Sequence, residues 1–155
     1  MAEEIERKFL VVGDSWRDQV TRTADYRQGY LAINRDCAVR VRLEPGRATL
    51  NIKNAISDVR RSEFDYDIPM ADAEQIFTEL CLGRQLIKRR HFVEYQGHTW
   101  EIDEFGGASA GLIVAELELR TVDESFGRPD WVGEEVSGDP RYLNAYLAEH
   151  PYRSW

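Results

Sequence analysis

Basic residues are in short supply. The 155-residue chain carries 20 Lys and Arg against 28 Asp and Glu, a formal net charge of −8. That balance argues against a broad nucleic-acid surface, which needs a basic face, yet it leaves room for a small, concentrated basic pocket. Long apolar runs are missing too: none approaches the ~20 residues that cross a bilayer, and charge begins at Glu3 with no apolar signal region behind it. A cytoplasmic protein with no membrane partner is expected. Cysteine and histidine are few and scattered. Cys37 and Cys81 fit no C-x-x-C or zinc spacing and read as free buried thiols, and His91, His98 and His150 are equally dispersed, so neither type is assigned a ligand or nucleophile role. No internal repeat, low-complexity segment or linker interrupts the chain, and its length suits one domain over residues 1–155.

What is present is alternation. In Glu3-Glu4-Ile5-Glu6-Arg7-Lys8-Phe9 a strand would put Glu4, Glu6 and Lys8 on one face and Ile5 and Phe9 on the other. Alone, such a face reads as a wet strand edge. The pattern then recurs. Arg40, Arg42 and Glu44 oppose Val39, Val41 and Leu43 across a Pro45-Gly46 turn from Thr49, Asn51 and Lys53, which oppose Leu50 and Ile52. Arg61, Glu63, Asp65 and Asp67 oppose Phe64, Tyr66 and Ile68; Lys88 pairs with Arg90, Glu101 with Asp103, and Glu116 with Glu118 and Arg120. Strands are expected at 3–10, 28–33, 38–44, 49–53, 61–68, 86–95, 99–105 and 113–120, with a short one at 135–137. Helices are expected after Asp14, carrying Trp16 and Val20; over 71–82, where Ala73, Ile76, Phe77 and Leu80 follow helical spacing ahead of Gly83; and over 139–147, with Asp139 as N-cap and Pro140 at the first position.

Antiparallel hairpins with few helices indicate an α+β fold. The charged face could meet water on any one strand. A closed antiparallel barrel instead turns the charges into its lumen and buries the apolar faces outward under helices, where each large side chain contributes roughly 1.5–3 kcal/mol. Like charges ~4 Å apart repel by about 4 kcal/mol at an effective dielectric of about 20. A lumen collecting Lys8, Arg40, Arg42, Lys53, Arg61, Lys88 and Arg90 therefore needs the counter-cluster Glu4, Glu6, Glu63, Asp103, Glu116 and Glu118, or a bound polyanion. Arg89 should point outward as a surface charge, and Asp65 and Asp67 are expected past the tunnel mouth.

Glu4-x-Glu6-x-Lys8 resembles the signature of the CYTH superfamily, the triphosphate tunnel metalloenzymes. The motifs Gln28-Gly29-Tyr30-Leu31, Arg40-x-Arg42, Lys53, Arg61-x-Glu63, Lys88-x-Arg90, Glu101-x-Asp103-x-Phe105, Glu116-x-Glu118 and Glu135-Val136-Ser137-x-Asp139-x-Arg141-Tyr142-x-Asn144 follow in family order. The likeness is strongest to the small bacterial single-domain members. It implies an eight-stranded antiparallel β-barrel, a tunnel with helices packed outside, that hydrolyses inorganic triphosphate to pyrophosphate and phosphate using Mg2+ or Mn2+. On that reading Lys8, Arg40, Arg42, Lys53, Arg61, Lys88 and Arg90 bind phosphates, Glu4, Glu6, Asp103, Glu116 and Glu118 bind metal, and a second metal or Glu63 orients or deprotonates the attacking water. Lys8 ranks first as a phosphate ligand, with an acid/base pairing to Tyr30 as the alternative. Thiamine triphosphatase, adenylate cyclase and a non-catalytic polyphosphate-binding module remain the competing functions. A triphosphate is the expected partner, nucleic acid is not, and a homodimer is compatible with the sequence.

Overall fold

The structure, a computed structural model, describes residues 3–55 and 58–155. Nine strands run in the order β1 (Glu3–Val11), β2 (Val20–Ile33), β3 (Ala38–Glu44), β4 (Arg47–Ala55), β5 (Arg60–Ile68), β6 (Gln85–Tyr95), β7 (His98–Phe105), β8 (Ile113–Leu119) and β9 (Val132–Glu135). Helix α1 (Met70–Leu80) links β5 to β6, and α2 (Asn144–Glu149) follows β9. Strands pair antiparallel as β5-β4-β3-β2-β6-β7-β8-β1, and β1 pairs back onto β5, so the first eight close a barrel. The closure is short. Among the described residues β5 meets β1 at Glu3, Glu4 and Ile5, and β9 takes the same edge of β1 further along, at Phe9 and Val11.

Period-2 alternation sends the charges inward and the apolar side chains outward, where three clusters form. Phe9, Trp100, Ile102 and Leu117 pack with Trp16 and Trp131 under the irregular segments before β2 and β9. Val41, Leu43 and Ala48 lie beneath α1, joined by its Ala73 and by Cys81. Leu86, Phe105 and Val114 pack against Leu147 and Ala148 of α2. The expected outer core fails on β5, where Phe64 and Tyr66 stay 44% and 56% exposed because no described helix covers that wall. Gly29 of β2 leaves room for α1 and the residue after it: a Cβ there would sit 2.7 Å from the Cys81 Cβ and 3.1 Å from the Phe77 ring. Among the described residues, no helix is long and apolar enough to cross a membrane.

Several elements depart from the expected boundaries: the last short strand lies at Val132–Glu135 rather than 135–137, and the helix after Asp14 is a 3-10 helix over Ser15–Gln19 that keeps Trp16 but leaves Val20 to β2. β2 begins at Val20 rather than Gln28, since its exposed early residues pair with β6, from Val20 opposite Val93 to Gly29 opposite Gln85. The expected helix over 139–147 breaks in two. Asp139 does accept from the Arg141 backbone N–H, but this caps only a 3-10 turn over Pro140–Tyr142, and extended backbone at Leu143 (ψ 138°) separates that turn from α2.

Candidate active site

The barrel encloses a cavity of about 380 Å3. β1 supplies Glu4, Glu6 and Lys8 to its wall. Facing them are Arg40 and Arg42 of β3, Asn51 and Lys53 of β4, Arg61, Glu63 and Asp65 of β5, Arg90 of β6, Glu101 of β7, and Glu116 and Glu118 of β8. Tyr30, the loop 34–37 and Asn144 border it as well. Strand register sets the pairs: Glu6 stands opposite Glu118, Lys8 opposite Glu116, Glu4 opposite Arg61, and Lys53 opposite Glu63.

Those pairs sort the charges into three groups. In the first, acid and base satisfy each other: the Lys53 Nζ lies 3.1 Å from Glu4 and 3.0 Å from Glu63, and the Lys8 Nζ lies 3.2 Å from Glu116. The second is a basic group with no carboxylate within ion-pair distance among the described residues, made by Arg40, Arg42 and Arg61. Nε of Arg40 and of Arg61 is buried with no partner, while Arg42 donates Nε to Gln28 Oε1 at 2.8 Å and lies over the Tyr26 ring. Burial, with Arg40 and Arg90 adjacent, draws Arg42 down to about 10. The third is acidic. Burial and Glu116 push Glu6 up to about 7 against the pull of Lys8 at 3.9 Å, and burial with Glu101 and Glu6 raises Glu118. Glu101 is raised by burial although Arg90 donates to it at 2.9 Å.

This segregation is what a metal-chelated polyanion requires. Buried guanidinium N–H groups without acceptors are costly to leave unmade, and phosphate oxygens are their natural partners. Hard divalent cations take carboxylate oxygen, Mg2+ commonly through one or two carboxylates with substrate phosphates completing the shell. The residues present fit that demand: among those described, no three acids are gathered as a ready-made cage, while Glu6 has only the distant Lys8, at 3.9 Å, as an ion-pair partner and Glu118 has none.

The site residues expected from the sequence are not all brought together. Lys88 and Asp103 do not reach the cavity wall. They form a buried pair behind it, with Lys88 Nζ 2.6 Å from Asp103 Oδ2 and side chains 0% and 1% exposed. Arg90 clamps the same carboxylate through Nε at 2.8 Å and Nη2 at 2.9 Å, and reaches Glu116 at 3.1 Å. Burial opposes ionisation of Asp103, but Arg90 and Lys88 hold it low; Lys88 itself is drawn down to about 7 by burial despite Asp103, with Arg90 adding to the fall. Lys8 and Tyr30 border one cavity without a hydrogen bond between them among the described residues; the Lys8 ammonium instead donates to the Tyr142 carbonyl at 3.4 Å. Asp65 lines the cavity rather than lying past it, whereas Asp67 pairs with the exposed Arg47. Arg89 points outward to Asp25, as expected. Glu101 is the residue sequence reasoning passed over in favour of Asp103, although it shares that face and stands opposite Glu116. Asn144, the last residue of the C-terminal motif, lines the cavity and its Oδ1 accepts from Lys88 at 3.4 Å.

The CYTH domain family matches residues 2–148. The chain belongs to that family. Its CYTH relatives include an inorganic triphosphatase of Acetivibrio thermocellus, 41% identical over 155 residues and covering 100% of this chain and 99% of the relative. Another, from Nitrosomonas europaea, is 33% identical over 151 residues, 94% of this chain and 96% of the relative, and is also named inorganic triphosphatase. A crystal structure of an inorganic triphosphatase superposes with a TM-score of 0.68 at 31% identity, covering 96% of each chain. A Pyrococcus horikoshii protein at 18% identity (TM-score 0.61, 77% of this chain and 80% of that one) shares the CYTH barrel.

The acidic group makes a pH prediction for the metal-free protein. A carboxyl raised from an ordinary 4.5 to about 7, as Glu6 is, binds more protons folded than unfolded between those values, so stability falls as pH rises through that window. Glu63, which burial would raise but Lys53 and Glu4 bring down to about 2, has given its full contribution by pH 5. Thermal melts in chelator should therefore show a lower Tm at pH 7.5 than at pH 5, and Mg2+ at pH 7.5 should recover the difference. A Tm that climbs steadily from pH 5 to 7.5 in chelator would contradict this electrostatic picture.

Proposed function

We propose that the chain hydrolyses inorganic triphosphate to pyrophosphate and phosphate inside the barrel, with Mg2+ or Mn2+. The observation that carries this reading is that one cavity sets Arg40, Arg42 and Arg61, with no carboxylate within ion-pair distance among the described residues, beside Glu6 and Glu118, whose carboxyls burial and neighbouring acids raise. The two curated relatives support the choice of inorganic triphosphate over thiamine triphosphate or a cyclase reaction.

Phosphoryl transfer asks a protein mainly for positioning and charge stabilisation. Arg40, Arg42, Arg61 and Arg90 would hold phosphate oxygens. Lys53 would join them from its place between Glu4 and Glu63, and Lys88 would act at a distance, through Asp103 and Arg90. Lys8 suits a phosphate ligand: an ammonium has three protons, and Glu116 and the Tyr142 carbonyl engage two of them. Pairing Lys8 with Tyr30 for proton transfer would need the substrate between them. Glu6 and Glu118, supported by Glu4 and Glu116, would hold the divalent cation. When bound, that cation neutralises phosphate charge and polarises the scissile linkage. Glu63 would accept a hydrogen bond from the attacking water and orient it; a carboxylate held near 2 is a poor general base at neutral pH.

Turnover of inorganic triphosphate, ATP and thiamine triphosphate by the pure protein, each with Mg2+, Mn2+ or chelator, tests the proposal. The expected result is metal-dependent release of phosphate, fastest from inorganic triphosphate. Metal-independent turnover, or none from any of the three, would sink the enzyme reading. A preference for thiamine triphosphate, or cyclic product from ATP, would move it to the corresponding alternative.

A further inference from the structure

Lys8 sits at the seam of the barrel. On this edge of β1 the backbone N–H groups of Glu6 and Val12 donate to backbone carbonyls, those of Val59 and Trp131, each at 2.8 Å. The N–H of Lys8 falls where β5 has left and β9 has not yet settled into register. It donates instead to a side chain, Ser137 Oγ, at 2.9 Å. One residue earlier the Val136 N–H donates to the Lys8 carbonyl at 2.8 Å, and five residues later the Tyr142 carbonyl accepts from the Lys8 ammonium at 3.4 Å. Residues 136–142 thus grip Lys8 at its backbone and at its charged tip.

A hydroxyl can turn its lone pairs away from a donor, but this one is locked. Ser137 Oγ donates to Glu135 Oε2 at 2.7 Å, so its proton is committed and a lone pair faces the Lys8 N–H. Glu135 in turn accepts from Nε of Arg7 at 2.8 Å and from Nη2 of the same guanidinium. Arg7 projects from the outer face of β1, next in sequence to the residue being positioned.

We propose that Arg7, Glu135 and Ser137 form a positioning relay that fixes where Lys8 presents its ammonium in the tunnel, making Ser137 a positioning residue for triphosphate binding. The inference rests on the phosphate role of Lys8 and assigns the outer edge of the barrel a part in it. Loss of the Ser137 hydroxyl frees the Lys8 backbone N–H, leaving the Val136 bond to its carbonyl, and so detunes the ammonium without removing any group that touches substrate.

The test is a double-mutant cycle read by calorimetric affinity for inorganic triphosphate in chelator, by kcat/KM with Mg2+, and by Tm. Ser137→Ala should weaken triphosphate binding and kcat/KM by about tenfold, the worth of one or so hydrogen bonds, while Ser137→Thr, which keeps the hydroxyl, stays within about twofold. In a Lys8→Ala background Ser137→Ala should change neither affinity nor kcat/KM, yet lower Tm as much as it does in the wild type. An equal fold-loss in both backgrounds, or no loss in the wild type, would overturn the relay and leave the triphosphatase reading intact. Should Ser137→Ala fail to fold, Glu135→Gln carries the same comparison with a smaller expected loss, about threefold, and its failure to couple to Lys8 would be as damaging. Lys8→Ala with wild-type affinity would remove the phosphate role of Lys8 and the relay with it. A wild type that binds triphosphate without hydrolysing it would sink the catalytic reading alone, since the affinity cycle still reads the relay.

Discussion

Glu6→Gln should reduce metal-dependent turnover by ~10^3-fold, the scale on which losing one preorganised charge-stabilising group is felt, while leaving the metal-free protein as stable as the wild type or more so. The two halves of that expectation share one cause. Glu6 is packed in the lumen opposite Glu118, with Lys8 3.9 Å away as its only ion-pair partner among the described residues. Its carboxyl is pushed up to about 7 chiefly by burial and by Glu116. Holding it ionised above pH 7 costs the fold the distance from its ordinary 4.5, roughly 3 kcal/mol, and the amide variant is relieved of that cost. At about 2–4 °C per kcal/mol for a domain of this size, a gain of several degrees in chelator is expected, reduced by the weak pairing to Lys8. On the proposed metal role of Glu6 the same substitution removes an oxygen that a hard cation needs, so the Tm increase expected of the wild type with Mg2+, through preferential binding to the folded state, should vanish. A variant that unfolds, or that keeps the Mg2+ increment, would make Glu6 a structural ion-pair member instead.

The barrel was legible in the sequence because its signal is strictly periodic. Apart from Asp67 at the end of β5, which pairs with the exposed Arg47, each strand from Glu3 to Leu119 that carries the pattern turns that charged face inward in the structure, since a one-residue slip would exchange lumen and outer face throughout. The start of β2 was hidden for a matching reason: Thr21, Arg22 and Thr23 are all exposed, and a stretch with no buried face carries no alternation to read. Phe64 and Tyr66 misled in the opposite sense. Their spacing marks an outward face, but whether a helix covers that face depends on where α1 and α2 dock, which no local pattern encodes. Within the site, alternation identified the correct face of β7 but could not say how deep along the barrel axis each residue sits. Depth follows from register and strand tilt, so Glu101 and Asp103, two residues apart, looked equivalent. The structure puts Glu101 on the cavity wall and Asp103 behind it.

That difference in depth predicts an opposite phenotype for Asp103→Asn. Three charge-assisted hydrogen bonds converge on this carboxylate, one from Lys88 and two from Arg90. The Lys88 side chain is fully buried behind the cavity wall, and removal of one partner from a buried ionic group costs about 3–5 kcal/mol because the charges left behind stay buried. A drop in Tm of roughly 10 °C follows at the sensitivity expected for this chain length, present in chelator and undiminished by Mg2+, whose stabilising increment should persist because Glu6 and Glu118 are untouched. The pH dependence supplies the sign. Asp103 raises Lys88, and burial with Arg90 still leaves that lysine near 7; without Asp103 its folded value falls further below the unfolded 10.5. The folded variant then releases its proton earlier than the wild type does, so the variant's deficit is largest near pH 5, where Lys88 must stay charged, and shrinks as pH approaches 7. If Asp103 were a metal ligand, Asp103→Asn would behave as Glu6→Gln does, with metal-free stability kept and the Mg2+ increment lost. Melting both variants at pH 5 and pH 8, with and without Mg2+, separates the carboxylate that waits for a cation from the one that already holds two.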